Sequence, residues 1–203
     1  AIVQGAEQYV ILGAGFDTYA YRSQFEHEKV FEVDLPQTQA LKIQRLKQQG
    51  ITPACCVDYV PCNFERGELE QNLIAAGFDK NKKSFFSCLG VVAYLDTAAL
   101  QHTLQFIASC AAGSTLVFDY IVEPSTLNDI ERMALGILAE RLAEAGEPLK
   151  CFYHPSSLSQ QLINLGFTNV RDVSPDDLNQ RYLLDRQDGL KLGNVTRMFL
   201  ASV

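Results

Sequence analysis

The stretch Tyr9-Val10-Ile11-Leu12-Gly13-Ala14-Gly15-Phe16-Asp17-Thr18 passes from an apolar run into Gly-Ala-Gly and then into what reads as the start of a helix. A run of this kind suits a strand buried on both faces. Glycines at the turn that follows let the backbone pass close to a ligand, and a helix N-terminus behind them offers free N–H groups. A nucleotide-like cofactor is implied; the plainer alternative is a tight turn with no ligand. The next apolar run, Val30-Phe31-Glu32-Val33-Asp34-Leu35-Pro36, places a carboxylate 19 residues after Gly15. An acidic group at that place accepts hydrogen bonds from ribose hydroxyls. Glu32 and Asp34 share one face by strand alternation, and Asp34 is favoured because it lies nearer the carboxyl end, where ligands sit. Asp34 is also placed to cap the helix that Pro36 opens. A dinucleotide loop carries a third glycine for close packing around the pyrophosphate, and here that position is Thr18. S-adenosyl-L-methionine has no phosphate and does without that glycine, so the turn leans towards a methyl donor.

Working outward, short apolar runs alternate with amphipathic stretches, the pattern of a parallel sheet covered by helices. Strands are expected at Gln8 to Leu12, Val30 to Asp34, Pro53 to Val57, Ser84 to Leu89, Thr115 to Tyr120, Thr168 to Val173 and Thr196 to Ser202. Pro36 to Gln49 reads as a helix with Ala40, Ile43 and Leu46 on one face and a stop at Gly50. Asp96 is the expected N-cap of a helix carrying Leu100, Leu104 and Ile107 and ending by Gly113. Thr126 with Asp129 resembles a capping box opening a long helix to Ala145. A further helix is expected over Ser156 to Leu165, closed by Gly166, and Ser174 to Asn194 reads as a surface excursion. No repeat or composition break divides the chain, so residues 1–203 are taken as one domain.

Apolar residues make up 47% of the 203 and charged ones 20%, which excludes a disordered chain. At this length folding buries about 70% of the chain's surface, so the core needs no disulfide or metal. The net charge of −7 argues against nucleic acid or an anionic membrane as partner. The longest nearly apolar stretch, Phe85 to Leu95, has 11 residues, too short to span a bilayer, which takes about 20. The opening Ala1-Ile2-Val3-Gln4-Gly5 lacks the basic and apolar regions of a signal peptide. Cys55, Cys56, Cys62, Cys88, Cys110 and Cys151 show no ligand spacing, and buried thiols in a reducing cytoplasm are expected in place of a zinc site or disulfide frame.

Taken together, Gln8 to Leu12, Gly13-Ala14-Gly15-Phe16-Asp17-Thr18-Tyr19-Ala20-Tyr21-Arg22 and Val30 to Pro36 closely resemble the leucine carboxyl methyltransferase family. The resemblance continues through Tyr59 to Glu65, Ala75 to Asp79 and Phe86 to Leu95, and more loosely through Glu147-Pro148-Leu149 and Leu165-Gly166-Phe167. It implies an α/β fold, the class I methyltransferase Rossmann-like sandwich, with strand order 3-2-1-4-5-7-6 and an antiparallel seventh strand. It also implies S-adenosyl-L-methionine as cofactor. Gly13, Ala14 and Gly15 would line the donor's methionine part, and Asp34 would hold its ribose. Asn63, beside Phe64, stands where the family usually has an Asp at the adenine, with Asp58 as a substitute. Leu89 stands where some relatives have an acidic residue, leaving contact there to the backbone around Gly90. Asp17, Thr18 and Arg22 belong to the family signature; Asp17 is expected to order the loop and Arg22 to pair with a carboxylate. Relatives carry helices ahead of the first strand that cover the cofactor, and seven residues precede Gln8 here, so an uncovered surface is expected to favour a homodimer.

Methyl transfer from a sulfonium is an in-line displacement, so the protein mainly positions and desolvates the reactants. A carboxylate acceptor needs no general base, whereas a phenol or alcohol does. Tyr94, Asp119 and Tyr120 lie at or beyond strand ends where an acceptor is expected. Of His27, His102 and His154, only the last is placed to reach one. The reading is an S-adenosyl-L-methionine-dependent O-methyltransferase acting on a small-molecule or carboxylate acceptor. An NAD(P)-binding oxidoreductase and a non-catalytic methyltransferase remnant stand as alternatives.

Overall fold

In the computed structural model, which describes residues 5–24 and 29–203, the apolar run at the start of the chain is β1 (Gln8–Leu12). Its edges are paired with β2 (Lys29–Asp34) and β4 (Ser84–Cys88), and its two faces pack into separate apolar clusters. The remaining strands are β3 (Cys56–Pro61), β5 (Thr115–Ile121), β6 (Thr168–Val173) and β7 (Thr196–Ser202). The spatial order is β3-β2-β1-β4-β5-β7-β6, with β7 antiparallel to both β5 and β6. Both the order and the reversed last strand agree with the expectation. His27 lies outside the described residues.

Strand alternation divides the sheet's side chains between two apolar clusters. Val10, Leu12, Phe31 and Val33 belong to the larger one, whereas Ile11 and Val30 belong to a smaller one with Ala14 and Ala20. The larger cluster continues through Phe86, Leu104, Phe118 and Phe199. Its helices include α3 (Leu69–Ala75), α4 (Thr97–Ala108) and α6 (Pro155–Asn164). Asp96 caps α4 as expected, its carboxylate accepting from Ala99 N at 2.7 Å.

Three details of the sequence reading are corrected. The third strand begins and ends later than Pro53 to Val57, because its register is set by pairing with β2, from Lys29 opposite Cys56 to Asp34 opposite Pro61. An edge strand carries a weak apolar signal of its own. In α2 (Pro36–Gln48) the buried residues are Gln39 and Lys42, while Ala40 and Ile43 face solvent. The helix is rotated by buried polar demand: Gln39 Nε2 donates to Glu32 O at 2.8 Å and Lys42 Nζ to Glu32 Oε2 at 2.5 Å. Lastly, the capping box of α5 (Asp129–Glu144) pairs Asn128 with Glu131, two residues after the expected pair. Thr126 instead closes a short 3-10 turn, Pro124–Thr126, donating its hydroxyl to Glu123 O at 2.7 Å.

The Ser174 to Asn194 excursion folds as α7 (Pro175–Leu178), a π-helical turn (Asn179–Leu183) and a loop. Asn179 fastens it by donating to Leu192 O at 3.0 Å and accepting from Leu192 N at 2.8 Å.

Candidate functional site

At the carboxyl end of β1 the chain turns sharply while remaining tied to β2. Gly13 N and Ala14 N both donate to Val33 O, at 2.8 and 3.0 Å. Gly13 has φ +69°, and a Cβ there would lie 2.2 Å from Val91 Cγ2. The position therefore demands glycine twice over, by backbone conformation and by the approach of Val91. Gly15 N donates to Asp34 Oδ2 and Leu35 N to Asp34 Oδ1, each at 2.6 Å. Asp34 is thus oriented by the loop and does not cap α2, whose N-cap is Leu35. Each carboxylate oxygen retains accepting capacity.

Behind the loop, Glu32 is 1% exposed and held by Lys42, whose ammonium also donates to Asp17 O at 2.6 Å. Only Asp34 of the two carboxylates borders the cleft in front of the loop. Burial pushes the Glu32 carboxyl above its usual range, against the opposing pull of Lys42. Asp17 orders the turn, its Oδ1 accepting from Tyr19 N at 2.6 Å. Arg22 donates to Thr18 Oγ1 at 3.1 Å and lies over the Tyr19 ring, so the described residues give it a hydroxyl and an aromatic face where a carboxylate was expected.

The cleft has a volume of about 550 Å³ and brings together Gly13, Asp34, Asn63, Phe64, Gly90 and Tyr94. Asn63 caps the 3-10 turn Phe64–Arg66, its Oδ1 accepting from Glu65 N at 3.0 Å. Asp58 stays on β3, paired with Lys29 at 3.4 Å, and does not border the cleft. The far wall is Gly146, Glu147, Pro148 and Lys150. Lys150 closes on the near wall through an ion pair with Glu65, and its backbone N donates to Ala93 O at 2.7 Å. Sequence reasoning missed Glu65, Val91 and Lys150. Glu147-Pro148-Leu149 was the one signal in that far segment.

Other candidates fall elsewhere. Leu89 faces a neighbouring cavity. Asp119 Oδ1 accepts from Gly90 N at 2.7 Å, and burial raises its carboxyl above the usual value, partly offset by that N–H. Tyr120 is corrected outright: its ring is fully buried against Phe199 at 5.2 Å between centroids, and its hydroxyl donates to Asp172. Along β5 it points to the core, opposite Asp119. His154 is spent on Ser156, 2.8 Å away, and His102 borders a separate cavity beside α4.

Among the described residues no helix is long and apolar enough to cross a membrane. The same fold is found in an S-adenosylmethionine-dependent methyltransferase of Archaeoglobus fulgidus, with TM-score 0.61 and 14% identity over 98% of this chain and 87% of that one. Human N-acetylserotonin methyltransferase, solved with S-adenosylmethionine, matches at TM-score 0.56 and 14% identity, over 97% of this chain and 47% of its own. Among curated sequences, YktD of Bacillus subtilis (strain 168), named for S-adenosyl-L-methionine-dependent methyl transfer, is 36% identical across 93% of this chain and 63% of its own length. A similarly named protein of Mycolicibacterium gilvum is 33% identical across 70% of this chain and 46% of its own. The chain therefore spans less than two thirds of the length of these relatives. Since the model of the leucine carboxyl methyltransferase family matches residues 1–108, which hold the loop, Asp34, Asn63 and Gly90, the chain belongs to that family.

Proposed function

We propose that the chain binds S-adenosyl-L-methionine in the cleft beside Gly13 and Asp34 and transfers its methyl group to an oxygen of an acceptor molecule. The observation that carries this is the cleft in which Gly13, packed on one side against Val91, stands beside an oriented carboxylate. Asp34 would accept from the ribose hydroxyls, while the Gly13 to Gly15 backbone follows the methionine part. Asn63 and Phe64 would meet the adenine, the backbone at Gly90 would complete the floor, and Lys150 with Glu65 would restrict water at the mouth. When bound, the sulfonium supplies an activated methyl group.

The dinucleotide alternative is disfavoured by the element behind the loop. Its helix, α1 (Tyr19–Arg22), has four residues, and Thr18 at its start is engaged by Arg22. So short a helix offers little of the aligned dipole that holds a pyrophosphate. Calorimetry with S-adenosylhomocysteine and with NAD(P) separates the two readings, with only the former expected to bind. Asp34→Ala should weaken S-adenosylhomocysteine binding by about 1.5–3 kcal/mol, the range for a hydrogen bond to a charged group. Unchanged affinity in the folded variant would overturn the assignment, and binding without turnover over a panel of oxygen acceptors would favour the non-catalytic remnant.

A further inference from the structure

Between the 3-10 turn Phe64–Arg66, the start of α3 and one face of α4 lies a cavity of about 580 Å³. It gathers Arg66 from the turn, Lys80 from the loop before β4 and His102 from α4, with Glu70 as the one carboxylate among the described residues of its lining. In a chain of net charge −7 such a gathering runs against the average. The turn and α4 meet closely here: Nδ1 of His102 lies 3.6 Å from where a Cβ would stand at Gly67, the residue after Arg66. Lys80 Nζ donates to Glu70 Oε1 at 2.5 Å and lies 5.6 Å from the centre of the Phe106 ring. An ammonium has three N–H donors, so two remain. Among the described residues neither the Arg66 nor the His102 side chain has a hydrogen-bond or ion-pair partner. The guanidinium alone brings five donors. The cavity is therefore rich in unused donors, and its carboxylate is already matched by Lys80.

We propose that this cavity binds a small phosphomonoester, its phosphate on Arg66, Lys80 and His102 and its organic part against Leu69 and Phe106. Arg66 offers a fork that meets two phosphate oxygens at once, and Lys80 adds a point charge. A phosphate dianion accepts at several oxygens and so engages donors that a carboxylate would leave idle. The cavity is larger than a free phosphate fills, and the buried side chains of Phe64, Leu69 and Phe106 give the rest of the molecule an apolar side to lie on. Phe64 also borders the cofactor cleft, whereas Arg66, Lys80 and His102 do not. The phosphate is therefore held outside the proposed donor site, and its binding stands whether or not S-adenosyl-L-methionine fills that cleft.

The chain has three histidines. His154, bonded to Ser156, borders neither cavity and serves as the control. In proton NMR at constant pH, with the His102 ring signals assigned through His102→Gln, phenyl phosphate is expected to shift them saturably while those of His154 stay still. Phenol lacks the phosphate and should move neither, and inorganic phosphate should bind more weakly than the ester. Arg66→Gln should weaken phenyl phosphate binding at least about tenfold. Glu70→Gln removes the opposing carboxylate and frees Lys80, so it should tighten binding about two- to fivefold, a gain that damage to the fold would not produce. Saturating S-adenosylhomocysteine should leave the titration in place. An unmoved His102, an equal response to phenol, inorganic phosphate as tight as the ester, an affinity untouched by Arg66→Gln or not raised by Glu70→Gln, or displacement by S-adenosylhomocysteine would each overturn the site.

Discussion

At Gly13 a hydrogen atom is all that the packing of Val91 leaves room for. The residue holds φ +69°, and any side chain would press on Val91. Gly13→Ala is expected to cost about 1–3 kcal/mol in stability by overpacking, and to weaken S-adenosylhomocysteine binding beyond what destabilisation explains. Val91→Ala added to it relieves the contact but leaves the positive φ, so the double variant should recover only part of the loss. Denaturant unfolding and calorimetry on the three variants check this; full recovery would show that conformation contributes nothing. Gly13 and Asp34 are legible as residue types in sequence, because a glycine turn and a carboxylate at fixed distance follow from chain connectivity. Asp34's fixed orientation is not, because the Gly15 N–H that sets it depends on how the loop closes on β2.

At the scale of elements, α2 is held to β2 and to the loop by one ammonium. Lys42 bridges Glu32 and the Asp17 carbonyl from the helix side, and both ion-pair side chains are under 5% exposed. Lys42→Met should cost about 3–5 kcal/mol, because it strands a buried charge. The pH dependence has a definite sign. Glu32 already has a folded pKa above its ordinary 4.5, and loss of Lys42 raises it further. A group that binds its proton more tightly when folded contributes stability below its unfolded pKa and loses it as pH rises through the folded value. The penalty of Lys42→Met is therefore expected to be larger at pH 8 than at pH 4, and Glu32→Gln in the same background should remove most of the difference. Melting curves across that range decide it; a penalty independent of pH would mean that Glu32 does not carry the charge. The apolar period of α2 pointed to Ala40 and Ile43 as the inward face, and this buried pair is why it misled.

Across the whole molecule, three thiols lie in the core and one on the surface. Burial pushes the Cys62 thiol up to about 11 and those of Cys88 and Cys110 up to about 12, whereas Cys56 is exposed on the edge strand β3. Only a thiolate attacks a disulfide reagent. At pH 8 Cys56 is expected to react with an aromatic disulfide within minutes, and Cys62, Cys88 and Cys110 only as fast as the protein unfolds. Mass spectrometry of the labelled peptides tests this. Prompt labelling of Cys88 would show that β4 opens without global unfolding.

What this sequence determined by itself is local and periodic. The apolar runs of β1, β2 and β4, the stop at Gly50, the N-cap at Asp96 and the Gly13 to Asp34 spacing all arise from neighbours along the chain, so they are written in it directly. What only the tertiary structure decided is which distant groups meet. The register of β3 comes from its pairing with β2, and the inward face of α2 comes from Glu32 on the strand beneath it. Tyr120 and Asp119 are consecutive and read alike as strand-end candidates, yet alternation along β5 sends one into the aromatic core and the other towards Gly90. Lys150 reaches Glu65, 85 positions away along the chain, and no pattern in either segment announces it. Burial and charge compensation act through space, and their partners become known only when the chain has folded back on itself.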